Sequence, residues 1–291
     1  MKLGIFHFQL LYDVLTDLHF IYDEEELAKY ILSKVSDALN SEAGTLLQLK
    51  SEGILYPLAS YGVPVEKLRQ LSFRVGVGVV GWVMQYMQPV KVEHPEQDPR
   101  FYGGIDKVTG FKTKSIIAAP VVAKNKPLGV IQFLNRRDRP FAIQDLELIS
   151  MLGHEIGIAL EHIRLIKEIE KNRALREAVT NSLFAGILVI DSQENLLEIN
   201  PRAKEILRLK EETIQENIPI QKVLANYPSL IKICKEANNS SQILRRSEIT
   251  IEINQEKRRI GYSGVPVIDR NGNRLGSAVL FQDITTLKPN D

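Results

Sequence analysis

The stretch from Phe141 to Val179 reads as one unbroken helix, and it limits the chain more than any other feature. Ile149, Leu152, Ile156, Ala159, Ile163 and Ile166 alternate by three and four, the spacing of a coiled-coil seam. Beyond Glu161 the composition turns charged, with Glu161–Arg164, Lys167–Glu170 and Arg173–Glu177 at spacings that face one another on a helix. A polar helix between two apolar-rich regions is a connector, so the chain divides around it. A solvated linker satisfies the charge pattern alone. A dimerising helix is favoured because the seam continues past the last expected domain contact.

The 291 residues fit about two domains. Hydrophobic residues at 44% and charged residues at 25% suit globular cores. Lys+Arg at 37 against Asp+Glu at 36 argues against a nucleic-acid surface and against a polybasic membrane anchor. No apolar run approaches the roughly 18–20 residues of a bilayer crossing, and the apolar start, Met1 to His7, is broken too early for a signal peptide. Cys234 is the only cysteine, which excludes an internal disulfide and a Cys-based zinc cluster. The expected setting is reducing and cytoplasmic.

Before the long helix, residues 5–20 place Phe8, Leu11, Leu15 and Leu18 at amphipathic spacing. Asp23 is an N-cap ahead of Glu24, Glu25 and Glu26, and Leu27, Ile31, Val35 and Leu39 carry a second helix to Asn40. Strand-like runs follow at 45–50 and 54–60, split by Ser51-Glu52-Gly53, and at 116–124 and 128–134, split by Asn125-Lys126-Pro127. After Asn181 come strands at 186–191 and 195–200, a helix at 202–209, and a helical middle at 214–237. Strands at 245–254, 258–268 and 274–283 close the chain, the last two joined by a hairpin turn over Asp269–Asn273. The expected class is α+β: two domains, each an antiparallel sheet with flanking helices, joined by a long coiled-coil-like helix. The expected segments are an N-terminal helix 1–20, a first domain 21–160, a connecting helix 161–180 and a second domain 181–288.

Two motifs are decoys. Gly76-Val77-Gly78-Val79-Val80-Gly81 matches the dinucleotide fingerprint, with a strand expected at Leu71–Val75 before it. Only Trp82 to Gln88 separate it from the next strand, whereas a parallel crossover needs about a dozen residues or more. The glycines are expected to make a tight strand-to-helix turn that buries Trp82. Gly153-His154-Glu155-Ile156-Gly157 lacks the second histidine of a zinc-protease helix, since Ile158 stands there. His7, His19, His94 and His162 show no ligand spacing, and no nucleophile–base set is visible.

Seven groups of residues in order do resemble a known family. Ser41–Leu47, Leu58–Val63 and Gly76–Val83 are similar to the opening half of a GAF domain, and Asp98–Phe101, Thr109–Ile116, Ala119–Val121 and Leu128–Asn135 to its second half. Residues 106–120 look like GAF domains of cyclic-nucleotide-responsive phosphodiesterases and cyclases. Their Asn-Lys…Phe…Asp-Glu motif maps onto Asn135, Arg136, Phe141 and Asp145, with Arg for Lys and Leu146 for the final acid. The resemblance implies a structural clamp between Arg136 and Asp145. It implies pocket residues at Phe101, Asp106, Thr109, Thr113 and Ser115, with Arg100 or Lys114 to meet an anionic ligand.

Gly186–Asp191, Ile199–Ala203 and Asp283-Ile284-Thr285 are similar to a PAS domain, a regulatory and often dimeric type. Asp283 and Thr285 would fix the direction in which a signal leaves its last strand. Residues 1–180 hold no cysteine to tether a bilin or to reduce methionine sulfoxide, and the PAS-like region holds no histidine for haem. The implied cofactor is therefore none covalent, with a noncovalent small molecule or cyclic nucleotide in the GAF-like domain.

The resemblance thus implies a sensory module without catalysis of its own, such as the input region of a histidine kinase or similar regulator. Its implied partners are a second copy, met through helices 5–20 and 149–179, and a downstream effector, with no nucleic acid and no membrane. The alternatives are a cyclic-nucleotide-linked enzyme (hydrolase or kinase) and a ligand-free dimerisation scaffold.

Overall fold

The computed structural model describes residues 5–18, 20–50, 53–209, 217–240 and 242–286. The chain divides into two compact units, Met1–Ile169 and Glu170–Asp291. His19, Ser51-Glu52 of the first expected turn, residues 214–216 of the helical middle, and Leu287 and Lys288 lie outside the described residues.

Local chemistry sets the first elements. α1 spans Ile5–Leu18 and α2 spans Glu24–Leu39. The Asp23 carboxylate accepts hydrogen bonds from the Glu25 and Glu26 amides, and the acidic first turn suits the positive end of the helix dipole. Asn40 ends α2 at φ 50°, a left-handed cap. Leu27, Ile31, Val35 and Leu39 are fully buried. On α1 the inward residues are Val14 and Leu18, whereas Phe8, expected on the buried stripe, is exposed.

The strands β1 (Ser41–Leu49), β2 (Ile54–Tyr61), β3 (Phe73–Arg74), β4 (Val90–Val92), β5 (Ile116–Ala123) and β6 (Lys126–Arg136) form one antiparallel sheet in the order β3-β2-β1-β6-β5-β4. The short helices α3 (Val65–Arg69), α4 (Gly78–Tyr86) and α5 (Gly104–Thr109) punctuate it. Antiparallel pairing of β4 with β5 rules out the parallel crossover that a dinucleotide fold needs. The β5–β6 turn is Lys124-Asn125, both at positive φ as a two-residue hairpin requires, one residue earlier than expected. Lys126 and Pro127 already pair with Ala123 and Val122.

Side chains alternate across β6. Ile131 and Phe133 join the core made with α1, α2 and the long helix α6 (Ile143–Ser182). Val130 and Leu134 belong to the core under α3 and α4 on the other face.

The long helix is correctly read in extent but not in partner. Ile149, Leu152, Ile156 and Ile163, the expected dimer seam, are buried in this chain's own core with α1, α2 and the sheet, with Ala159 and Ile166 half-buried. A three-four alternation shows that a stripe is covered, and here the sheet and the first two helices cover it. Arg173–Glu177 pairs at 3.0 Å, while Lys167 reaches Asp23 instead. Gly153 and Gly157 explain the second decoy. A Cβ on Gly157 would stand 2.1 Å from the Val122 carbonyl oxygen, and one on Gly153 would stand 2.3 Å from that of Pro120. The glycines let α6 lie directly on β5, while His154 is exposed.

In the second unit, β7 (Gly186–Asp191), β8 (Leu196–Ile199), β9 (Leu244–Ile253), β10 (Glu256–Ile268) and β11 (Arg274–Asp283) form an antiparallel sheet ordered β8-β7-β11-β10-β9. Helices α7 (Pro201–Leu207), α8 (Ile220–Val223) and α9 (Pro228–Asn239) cover its apolar face. Asn200, 2% exposed, caps α7 by accepting from the Ala203 and Ile187 amides and donating to the Thr180 and Ala185 carbonyls. No helix among the described residues is long and apolar enough to cross a membrane.

Gly157→Ala tests the close approach of α6. Helix propensity alone favours Ala by about 1 kcal/mol, but overpacking at the sheet should cost about 1–3 kcal/mol net. Trp82, the only tryptophan, reports the first unit in urea unfolding. An unchanged or raised midpoint would contradict the packing described.

Candidate functional site

The glycine motif builds the wall of a cavity. Gly76 and Gly78 adopt φ values of 82° and 72°, and a Cβ on Gly81 would lie 2.2 Å from the Arg74 carbonyl oxygen. The chain therefore turns sharply from β3 into α4, with the Gly76 amide donating to the Gly81 carbonyl at 2.8 Å. The preceding strand is only Phe73–Arg74, shorter than the expected 71–75. Trp82 is half-buried rather than buried. The Arg100 guanidinium lies 4.5 Å above its ring, a cation–π contact.

Between this turn, α5 and the sheet lies a cavity of about 470 Å³. Ile116, Gln132 and Leu134 form its floor, Phe73 and Arg74 one side, and Val77, Val79 and Val80 another. Phe101, Tyr102 and Ile105 close it, with Asp106 and Thr113. The Asp106 carboxylate accepts from the Thr113 amide at 2.8 Å and from its hydroxyl at 2.7 Å, tying the loop after α5 down beside the cavity.

Of the residues expected to meet a ligand, Phe101, Asp106 and Thr113 line this cavity and four do not. Arg100 is held by Asp98 through Nε–Oδ1 at 2.9 Å and Nη2–Oδ2 at 2.6 Å, and this pairing holds the Asp98 carboxyl below its ordinary range. Thr109 ends α5, its hydroxyl donating back to the Ile105 carbonyl. Lys114 and Ser115 border a separate open cleft of about 350 Å³, and Lys114 Nζ stands 3.6 Å from Glu42. Sequence reasoning missed Arg74, Tyr102 and Gln132 as lining residues. The glycine motif beside Arg74 was the available signal.

The expected clamp residues occupy two linked networks. Asn135, at φ 53° and 2% exposed, accepts from the Lys114 and Ser115 amides and donates to Glu42 and to the Lys112 carbonyl. Asp145, fully buried at the start of α6, accepts from Arg136 at 2.7 Å, Arg139 at 3.1 Å, the Ala142 amide at 2.7 Å and His7 Nε2 at 3.2 Å. Burial alone would raise the Asp145 carboxyl, but the Ala142 amide, His7, Arg139 and the Arg136 charge together hold it below the usual carboxylate range. His7 and Arg139 were not expected in this group. Phe141 is buried beside it, and its carbonyl accepts from Lys91.

In the second unit, Asp283 Oδ1 accepts from the Thr285 amide and hydroxyl, its other oxygen from Arg258, and the Thr285 hydroxyl accepts from the Arg259 amide. Burial pushes the Cys234 thiol up to about 12, which leaves it a small apolar side chain.

A family model for the GAF domain matches residues 23–160, and one for the PAS fold matches residues 174–284. The chain carries a GAF domain followed by a PAS domain. Together they make it a sensory, signal-transducing module. Over 144 residues it is 28% identical to a probable 3',5'-cyclic phosphodiesterase of Caenorhabditis elegans, covering 48% of this chain and 20% of the relative. Over 177 residues it is 30% identical to the dual 3',5'-cyclic-AMP and -GMP phosphodiesterase 11A of Takifugu rubripes, covering 57% and 19%. The chain thus spans about a fifth of the length of these curated relatives. The GAF domain of a phosphoenolpyruvate-protein phosphotransferase from Coxiella burnetii shares the fold of the first unit, with a TM-score of 0.51 at 16% identity, covering 56% of this chain and 96% of that one.

Asp145→Asn should destabilise the GAF domain by about 3 kcal/mol at pH 7, because buried Arg136 then keeps only Asp138 as a charged partner. A carboxyl held low in the folded state stabilises fully above its unfolded value near 4, and that contribution is lost as pH falls below this and through the lower folded value. The gap between variant and wild type should therefore shrink in urea unfolding at pH 3. A gap that stays constant from pH 7 to pH 3 would contradict the assignment.

Proposed function

We propose that the GAF cavity takes a small, noncovalently held organic molecule, and that α6 carries its occupancy through a homodimer to a downstream effector of histidine-kinase or similar type. The cavity carries this reading. Its volume of about 470 Å³ falls within the roughly 300–1,000 Å³ of small-molecule sites, and its walls are mostly apolar with a few polar groups. The Asn135 and Asp145 networks act as clamps that hold the end of β6 and the start of α6, and Asp283 with Thr285 fixes the chain's exit from β11.

The sheet is the link. Gln132 and Leu134 face the cavity, while Ile131 and Phe133 pack in the core that holds Ile149, Leu152 and Ile156 of α6. A shift of β6 on one face is felt on the other, and a packed helix has discrete alternative seats rather than a continuum.

The dimer face differs from the expected seam. Ile158, Leu165, Asn172 and Val179 recur every seven residues and are exposed, as are Ile169 and Leu183 beside them. A heptad stripe with one Asn among apolar residues matches a two-stranded coiled coil, in which the Asn fixes register. The other helix expected at the interface, α1, exposes Phe8 and Tyr12.

A second reading makes the ligand a cyclic nucleotide, favoured by the names of the two curated relatives. Native mass spectrometry of freshly purified protein should find a co-purified small molecule, and its mass decides between the two readings. Bare protein, unable to take up any small molecule, would leave only a scaffold. By sedimentation the wild type should be a dimer at micromolar concentration, and Ile158→Glu with Leu165→Glu should make it a monomer. A monomeric wild type would end the relay.

A further inference from the structure

Arg74 is the cation of this cavity. It is exposed at the rim beside the glycine turn, forms no ion pair among the described residues, and its guanidinium makes one hydrogen bond among them, to Ser72 Oγ at 3.4 Å from its Nε. The other charged lining residue, Asp106, has both carboxylate oxygens committed to Thr113. Arg100, the cation expected to meet an anion, is consumed by Asp98 and Trp82. Gln132 lines the floor with an amide that has no hydrogen-bond partner among the described residues. Ten of the remaining lining residues are aliphatic or aromatic.

From this arrangement we infer the class of ligand: an apolar or aromatic body bearing a single oxyanion, such as a carboxylate, paired with Arg74, with the Gln132 amide meeting at most one further polar group. The inference rests on the proposal that this cavity binds a small molecule at all. Two physical points carry it. An unpaired guanidinium at the edge of an apolar hollow attracts an anion and offers it a fork of donors. A nucleotide base and ribose carry several donors and acceptors, each of which costs free energy if left unmatched in a closed site. Beyond Gln132, the walls add the Ser72 and Tyr102 hydroxyls and the uncapped first turn of α4, which itself favours an anion, while the Thr113 hydroxyl is taken by Asp106. The polar supply suits one anionic end and little more.

The test uses two fluorescent probes that share one aromatic body: anilinonaphthalene sulfonate, which is anionic, and phenylnaphthylamine, which is neutral. The sulfonate should bind the whole chain about tenfold more tightly than the neutral probe. Arg74→Gln should remove that preference and leave the neutral probe's affinity unchanged. Val77→Trp, at an exposed lining position, and Leu134→Trp, on the floor, should each block both probes. Equal binding of the two probes, or a preference that survives Arg74→Gln, would overturn the oxyanion assignment while leaving a ligand cavity in place. Displacement of the sulfonate by micromolar cyclic GMP would overturn the apolar body. Failure of both probes to bind, or binding indifferent to both tryptophan variants, would remove the cavity as a ligand site altogether.

Discussion

Period-two alternation along β5 and β6 is the constraint on which the GAF domain depends. Successive residues of a strand face opposite sides of the sheet, so Gln132 and Leu134 are given to the cavity by the same geometry that gives Ile131 and Phe133 to the helices. A slip of one residue would exchange the two sets, placing Phe133 in the cavity and Gln132 in the densest core. The two-residue turn at Lys124-Asn125 sets the register, and Gly153 and Gly157 press α6 onto β5 closely enough for the helix backbone to rest on strand carbonyls. The sheet is thus a shared wall, with a ligand-sized hollow on one side and the long helix on the other.

Asp145 fixes where that helix begins. A fully buried carboxylate is costly unless every oxygen is satisfied, and this one gathers two arginines, a histidine and a backbone amide. Its donors come from α1, from the end of β6 with the loop after it, and from the residue preceding α6. The charge therefore holds three segments in one arrangement. The apolar contacts of α1 with α6 alone would permit sliding. The PAS domain uses Asn200 in a comparable way, tying the residues before β7 to the start of α7.

Much of this was legible in the amino-acid sequence, for local reasons. Asp23 before three glutamates, Leu27 to Leu39 at helical spacing, and the Asp269–Asn273 turn each carry their own structural instruction. Both antiparallel sheets and the long helix follow from such signals. The partner of the Ile149–Ile163 stripe did not, because periodicity records that a helix face is covered and not what covers it. Trp82 and Arg100 were misplaced for a related reason. A large aromatic beside glycines is expected to be buried, and a lone arginine to be available, until the fold brings them together with Asp98. Arg74 was invisible because its freedom depends on which acids the fold keeps away. The Lys124-Asn125 turn was displaced by the proline at 127, which looked like a breaker but sits within the β6 pairing.

The coupling of the cavity to the helix can be measured directly. Amide hydrogen exchange on the whole chain, with the cavity empty and then saturated with anilinonaphthalene sulfonate, separates the elements that line the cavity from those that do not. No residue of α6 lines it. Slower or faster exchange within residues 148–163 on saturation is the result expected if the sheet transmits occupancy. A change confined to α4, α5 and the strands of the cavity wall, with α6 untouched, would contradict it.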